Sequence, residues 1–421
     1  MCLARFERDS KQSFKMGIIG AILKNPEDLH HLLKLKMASA AANRAIPSDP
    51  NLAFCYQMLR RVSGSFSIVI LQLEPGLRNA VCVFYLVLRG LQAVEDDLTI
   101  PYDLKVELLR NLHKKIFDRD FHFPCGNNDY KLLMDKFYLV ILAFLGLTTG
   151  YQEVITEITE RMGEGMVKYL NTEIISREDY NEYCHFSAGL MGLGLTRIFY
   201  TAGMEQFTPD YLSNAMGLFL QKTNVIRDYL ENINAQPTSR LRWPKEVWSK
   251  YADKPEAFMD ETNYKQGLHC LNEMVTDALS HGLDCLHYMA ALQDQPNLRF
   301  CATFQITALG TLAMCYNNVE VFRGSVRMRR GLTAKILDVK NMVDVYGAFY
   351  DFTRLIAAKI DKTDPSAVTT HKFVDDIRSI CRFEIKNRRA FTIESKFGHE
   401  TFLVVALFVI LVIMLLIVTK Q

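Results

Sequence analysis

From Asn51 onward, apolar residues recur at helical spacing almost without interruption. Leu52–Leu73 and Leu77–Glu95 are long apolar runs, split by the turn signal Glu74-Pro75-Gly76. The same spacing predicts helices over Tyr102–Phe117, Asn128–Leu147, Tyr151–Tyr169, Arg177–Tyr200, Pro209–Leu230, Ala257–Gln293, Leu298–Tyr316 and Ala334–Ile360. No stretch alternates with period two for long, so strands are not expected. Residues 1–50 are polar and mixed, with a helix expected over Pro26–Met37, capped by Asn25. Thr238–Pro244 reads as a polar loop and Lys362–Thr370 as a linker.

The far end of the chain breaks this pattern. Phe402 to Val418 is unbroken apolar sequence of about 17 residues, the short end for a membrane span. A core helix would show a polar face, and this segment has none. Arg378, Arg382, Lys386, Arg388, Arg389 and Lys396 lie upstream, which favours the cytosolic side for the body of the protein. A short span suits a thin bilayer such as the endoplasmic reticulum. The expected organisation is an N-terminal region (1–50), a helical domain (51–361), a linker and basic segment (362–401) and a single membrane anchor (402–418).

Composition narrows the function. The chain has 421 residues, 49% of them hydrophobic, enough for a large core. Its formal charge of +2 offers no bulk attraction for nucleic acid. The 10 cysteines are scattered, with no Cys-x-x-Cys pair and no zinc spacing. They read as reduced, mostly buried thiols. The opening segment mixes both charges, which argues against a secretory signal.

Two segments carry candidate chemistry. One is Arg89-Gly-Leu-Gln92-Ala-Val-Glu95-Asp96-Asp97. The other is Gln221-Lys-Thr-Asn224-Val-Ile-Arg227-Asp228-Tyr-Leu-Glu231-Asn232. Each puts carboxylates at the end of an apolar helical run. Spacings of three and four place Gln92, Glu95 and Asp96 on one face, and Gln221, Asn224, Asp228 and Glu231 or Asn232 on another. A charged helix end alone is commonplace on a solvated surface. A polar stripe through apolar neighbours is not, because buried carboxylates need a cationic partner. Two such faces, each beside an arginine, suit Mg²⁺ held against a diphosphate. Gly189, Gly192 and Gly194 suggest a nucleotide loop only superficially, since no strand precedes them. Within a helix they point to close packing or room for a ligand.

The blocks RNAVCVFYLVLRG, ITERMGEGM, YCHFSAGLMGLGLTRIF, MGLFLQKTNVIRDYLEN, WPKEVWSKY and CYNNVEVFRGSVRMRRG, in this order, resemble the squalene synthases (farnesyl-diphosphate farnesyltransferases). The likeness runs from about Phe54 to Thr333. It implies an all-α fold, a single large helical bundle of the isoprenoid synthase type with a C-terminal transmembrane helix. It implies that two farnesyl diphosphates condense to presqualene diphosphate, which NADPH reduces to squalene for sterol biosynthesis. Mg²⁺ and NADPH are the implied cofactors, the endoplasmic reticulum membrane the implied location, and a monomer the expected state. The resemblance assigns Tyr183, Arg89, Asp96 and Asp228 to catalysis. Glu95, Asp96, Asp228 and Glu231 fall at metal positions, and Arg227, Arg327 and Arg329 at positions for NADPH. Phe66, Phe186, Gln221, Asn224 and Phe300 would line the isoprenoid pocket.

Some positions depart from the family pattern. Gln92 stands where Asp-x-x-Glu-Asp begins, and Asn232 where Asp-x-x-x-Asp ends. Gly64 stands where the family has an arginine before Ser-Phe. Phe304 replaces a proline before Gln305, and Arg242 an aromatic residue before Trp243. An amide brings no negative charge to a cation. The alternative readings are a non-catalytic or impaired paralogue with a binding role, and an enzyme stopping at presqualene diphosphate.

Overall fold

A computed structural model of the chain describes Asn25 and residues 28–44, 46–235 and 239–386. Among these residues every regular element is helical and no strand occurs. The expected anchor Phe402–Val418 and the basic residues Arg388, Arg389 and Lys396 lie outside them.

The first described helix is α1 (Asp28–Arg44), where the Asn25 carbonyl accepts from the Asp28 N–H at 3.0 Å. Asp49 caps the next helix by accepting from Leu52 N at 2.8 Å. The apolar run Leu52–Leu73 is two helices, α2 (Pro50–Val62) and α3 (Gly64–Ile70), because Ser63 between them is extended. Phe66 sits on α3, with its side chain outside the described residues. Pro75 starts α4 (Pro75–Asp96), its missing N–H falling in the first turn. Helix α5 (Tyr102–Lys115) follows. The expected Asn128–Leu147 helix is two, α6 (Asp129–Asp135) and α7 (Phe137–Leu145), broken at Lys136.

Helix α8 (Thr149–Tyr169) leads to α9 (Arg177–Cys184), which begins with a reciprocal cap between Ser176 and Asp179. A π turn, His185–Gly189, joins α9 to α10 (Leu190–Thr201). Then α11 (Asp210–Arg227) is followed, across the single residue Asp228, by α12 (Tyr229–Ile233). After α13 (Lys245–Trp248), the expected Ala257–Gln293 helix resolves into two short 3₁₀ turns, α14 (Tyr264–Leu279) and α15 (Gly282–Ala291). Asp294 caps α16 (Gln295–Cys315) through Asn297 N. The remaining helices are α17 (Glu320–Arg323), α18 (Arg330–Ile336), α19 (Met342–Ala357) and α20 (Ala367–Ile385).

Helices α4 and α16 are long and apolar enough to cross a membrane, yet both are mostly buried. They are core helices, apolar nearly all round because neighbours cover every side. Helix α11 is central: α10, α14, α15, α16 and the π turn all pack on it. Glycines permit the closest approaches. A Cβ on Gly192 would lie 2.3 Å from the Ser213 carbonyl oxygen, and one on Gly217 2.2 Å from that of Ala188. The described cysteines are all buried and free.

The expected linker Lys362–Thr370 is instead part of the folded body. Asp364 accepts from Asn272 Nδ2 at 2.6 Å and from Ser366 N at 2.7 Å. The Thr370 and Thr276 hydroxyls lie 2.6 Å apart. These polar residues, which resemble a linker in composition, anchor the start of α20 against α14. The helical body therefore continues past residue 361. Arg378 and Arg382 stack over the Tyr350 ring at 5.3 and 5.6 Å, so this part of the basic segment also lies on the body.

Candidate active site

The C-terminal ends of α4 and α11 reach one cavity of about 820 Å³. That is large within the range of about 300–1,000 Å³ usual for ligand pockets. Its polar wall includes Gln92, Glu95, Asp96, Gln221, Asn224, Asp228 and Asn232. Its apolar wall includes Phe186, Met191, Leu195, Leu220, Phe300 and Phe304. The two segments that stood out in the sequence therefore face the same space.

The acidic groups differ in their surroundings. Burial and the neighbouring Asp96 push the Glu95 carboxyl above the usual carboxylate range. Asp96 Oδ1 accepts from Arg240 Nη1 at 3.0 Å. Both Asp228 oxygens accept from Arg227, at 2.8 Å each. Asp97 turns away from the cavity to secure the following loop. It accepts from Thr99 N, Thr99 Oγ1 and Gly126 N. Glu231 does not join the cavity wall. It is exposed on α12, while Asn232 is in the wall.

Helix polarity sharpens the electrostatics. Asp228 lies at the junction of α11 and α12, while Glu95 and Asp96 sit at the C-terminus of α4, the negative end of its backbone dipole. Carboxylates there repel the helix they terminate unless a cation faces them. Lys105 and Arg240 in the cavity wall supply part of that charge. Burial holds the Lys105 ammonium below its ordinary range, and its Nζ donates to the Glu95 carbonyl at 2.8 Å. Among the described residues, no three His, Cys, Asp or Glu side chains gather closely enough to bind a metal alone.

Tyr183 lies in the wall, two residues before the π turn begins at His185. Its ring meets Tyr169 edge-on at 5.5 Å, and the Arg242 guanidinium covers it at 5.3 Å. Arg242 is fixed by donating to the Tyr169 and Thr172 carbonyls. The π turn brings Phe186, Ser187 and Ala188 into the wall. Gly165 makes room for Phe186, since a Cβ there would lie 2.2 Å from the ring. Gln305, behind Phe304, donates to the Met216 carbonyl at 3.1 Å and ties α16 to α11.

Other expected residues lie elsewhere. Arg89 is buried beside the site, outside the cavity wall, with Nη1 donating to Gln92 Oε1. Arg227 also stands outside the wall, engaged with Asp228. Arg327 is exposed and donates to Ser325 Oγ at 2.7 Å. Arg329 pairs with the buried Asp28 of α1. The cavity residues missed in the sequence are Lys105, Tyr169 and Arg240. They come from three separate segments, and no spacing in the sequence links them.

Residues 59–331 match the family model described as squalene/phytoene synthase. The chain belongs to the squalene/phytoene synthase family. Within that family the similarity is to squalene synthases. Squalene synthase 1 of Panax ginseng is 53% identical over 402 residues, covering 95% of this chain and 97% of that protein. The squalene synthase of Solanum lycopersicum is 52% identical, covering 95% and 98%. A solved structure of TcSQS with the ligand E5700 superposes with a TM-score of 0.78 at 37% identity. It covers 80% of this chain and 99% of that one. Identity at this level over nearly the whole chain assigns it the squalene synthase function, a farnesyltransferase step of isoprenoid and sterol biosynthesis. The non-catalytic alternative is not favoured.

Proposed function

We propose that this cavity holds two farnesyl diphosphates, with their diphosphates along the polar wall and their isoprenoid chains along the apolar wall. The observation that carries this reading is the convergence of both acidic motifs on one cavity that continues into aromatic and aliphatic side chains. The squalene synthase family uses a divalent metal and NADPH. The donor set here fits Mg²⁺: Glu95, Asp96 and Asp228 offer hard oxygen ligands, the first two at a helix end that favours a cation. With no closed cage of acids, these residues suit a cation shared with substrate phosphates. Bound there, Mg²⁺ would stabilise negative charge on a departing diphosphate.

The chain's own residues do the rest. Lys105 and Arg240 offer positive charge to the leaving group. Tyr183 presents a hydroxyl and a ring face to the carbocation formed when diphosphate leaves. Phe186, Leu220, Phe300 and Phe304 exclude water, which would quench that cation. Arg227 pairs with Asp228 and Arg329 with Asp28. We further propose that Phe402–Val418 anchors the protein in the endoplasmic reticulum membrane, with the helical body in the cytosol, on the strength of its length and apolar character. Product analysis with farnesyl diphosphate, with and without NADPH, tests the reaction.

A further inference from the structure

Gln92 occupies a position where the family pattern has a metal-binding carboxylate, and its surroundings assign it the opposite chemistry. Arg89 lies one helical turn earlier on α4, and its Nη1 contacts Gln92 Oε1. Guanidinium groups only donate, so the amide atom meeting it must be the oxygen. Arg89 is itself held in place: it is 2% exposed, and its guanidinium lies 4.7 Å from the centre of the Tyr85 ring. The amide is planar, so fixing Oε1 on Arg89 aims Nε2 the other way. Gln92 lines the cavity and Arg89 does not. Among the described residues, nothing accepts from that NH₂ group.

We infer that Gln92 is a hydrogen-bond donor to a substrate diphosphate oxygen, replacing a cation ligand with a direct contact to the anion. The inference rests on the proposed reading of the cavity as a diphosphate site. Two N–H hydrogens facing the cavity repel a cation and attract an anion. Lys105 and Arg240 in the same wall add positive charge on that side. The first motif would then bring Glu95 and Asp96 to Mg²⁺ and Gln92 to the phosphate.

The test is binding of inorganic diphosphate to the full-length protein by calorimetry, in EDTA and in Mg²⁺. Gln92→Glu keeps an oxygen for Arg89 but removes the donor. Gln92→Leu removes the donor without adding charge, and folding of both is checked by circular dichroism. The expected result is that wild type binds diphosphate in EDTA and that each folded variant binds it about tenfold to a hundredfold more weakly. In Gln92→Leu the gain on adding Mg²⁺ should match that of wild type. If Gln92→Leu does not fold, Gln92→Met, which keeps the length of the side chain and likewise lacks a donor and a charge, carries the test in its place. Equal affinity of the folded variants and wild type in EDTA would overturn the inference. So would wild-type binding that requires Mg²⁺, or a Mg²⁺ gain lost in Gln92→Leu, and both outcomes leave the diphosphate site standing. Failure of wild type to bind diphosphate in either condition would overturn the cavity reading itself.

Discussion

Arg227 grips both carboxylate oxygens of its neighbour Asp228, through Nε and Nη2 at 2.8 Å each. Arg227 is the last residue of α11, and Asp228 joins α11 to α12. Asp228 lies in the cavity wall and Arg227 outside it. Asp228→Asn keeps the shape and removes the charge. We expect turnover of farnesyl diphosphate to fall by about 10²-fold or more, with a higher Mg²⁺ concentration at half-maximal rate. Steady-state rates across a Mg²⁺ series measure both. An unchanged Mg²⁺ dependence would remove Asp228 from the cation site.

Tyr183 is held from two sides, by the Tyr169 ring and the Arg242 guanidinium. Tyr183→Phe keeps the ring and loses the hydroxyl. The expected outcome is a loss of condensation of about 10²-fold or more with the fold and the affinity for diphosphate retained. Near-normal turnover would leave the hydroxyl without a role in the reaction.

His281 gives the fold an acid-sensitive point. Burial, with the Lys222 ammonium nearby, holds its imidazole down at about 4, against partial opposition from Asp277. In the unfolded chain it titrates near its ordinary value of about 6.5. As pH falls from 7 toward 4, the unfolded chain takes up a proton that the fold refuses, so stability is lost. At pH 5 the loss from this residue is about 2 kcal/mol. His281→Gln should therefore lose less stability than wild type between pH 7 and pH 5, read as urea midpoints. Equal losses would show that His281 titrates alike in both states.

The proposed anchor has a direct check. Deleting Phe402–Gln421 should move the protein from the membrane to the soluble fraction with turnover retained. Persistent sedimentation with membranes would place the attachment on another surface.

Much of the helical body was legible in the sequence, because apolar periodicity is set by burial on each helix. The start of α4 was readable from Glu74-Pro75-Gly76, and both acidic motifs from their carboxylates at the ends of apolar runs. The break at Ser63 had a signal in the Gly64 that follows it, whereas those at Lys136 and Asp228 did not, since no glycine or proline marks them. The last of these mattered most. Spacing alone left Glu231 and Asn232 open as the partner of Asp228, and the structure places Asn232 in the wall and Glu231 outside it. Lys362–Thr370 has the composition of a linker, and only its tertiary hydrogen bonds reveal a helix start. Lys105 and Arg240 come from separate segments, so their place beside the acids depends on folding alone. The π turn after Cys184 left no periodic trace, because it adds its extra residue inside an otherwise helical run.

The central claim is that this cavity joins two farnesyl diphosphates despite amides at two motif positions, Gln92 and Asn232. The most direct measurement is the product formed by the purified full-length protein from farnesyl diphosphate and Mg²⁺, analysed with and without NADPH. The account predicts squalene with NADPH and presqualene diphosphate accumulating without it. A folded protein that binds diphosphate yet forms neither product would contradict it.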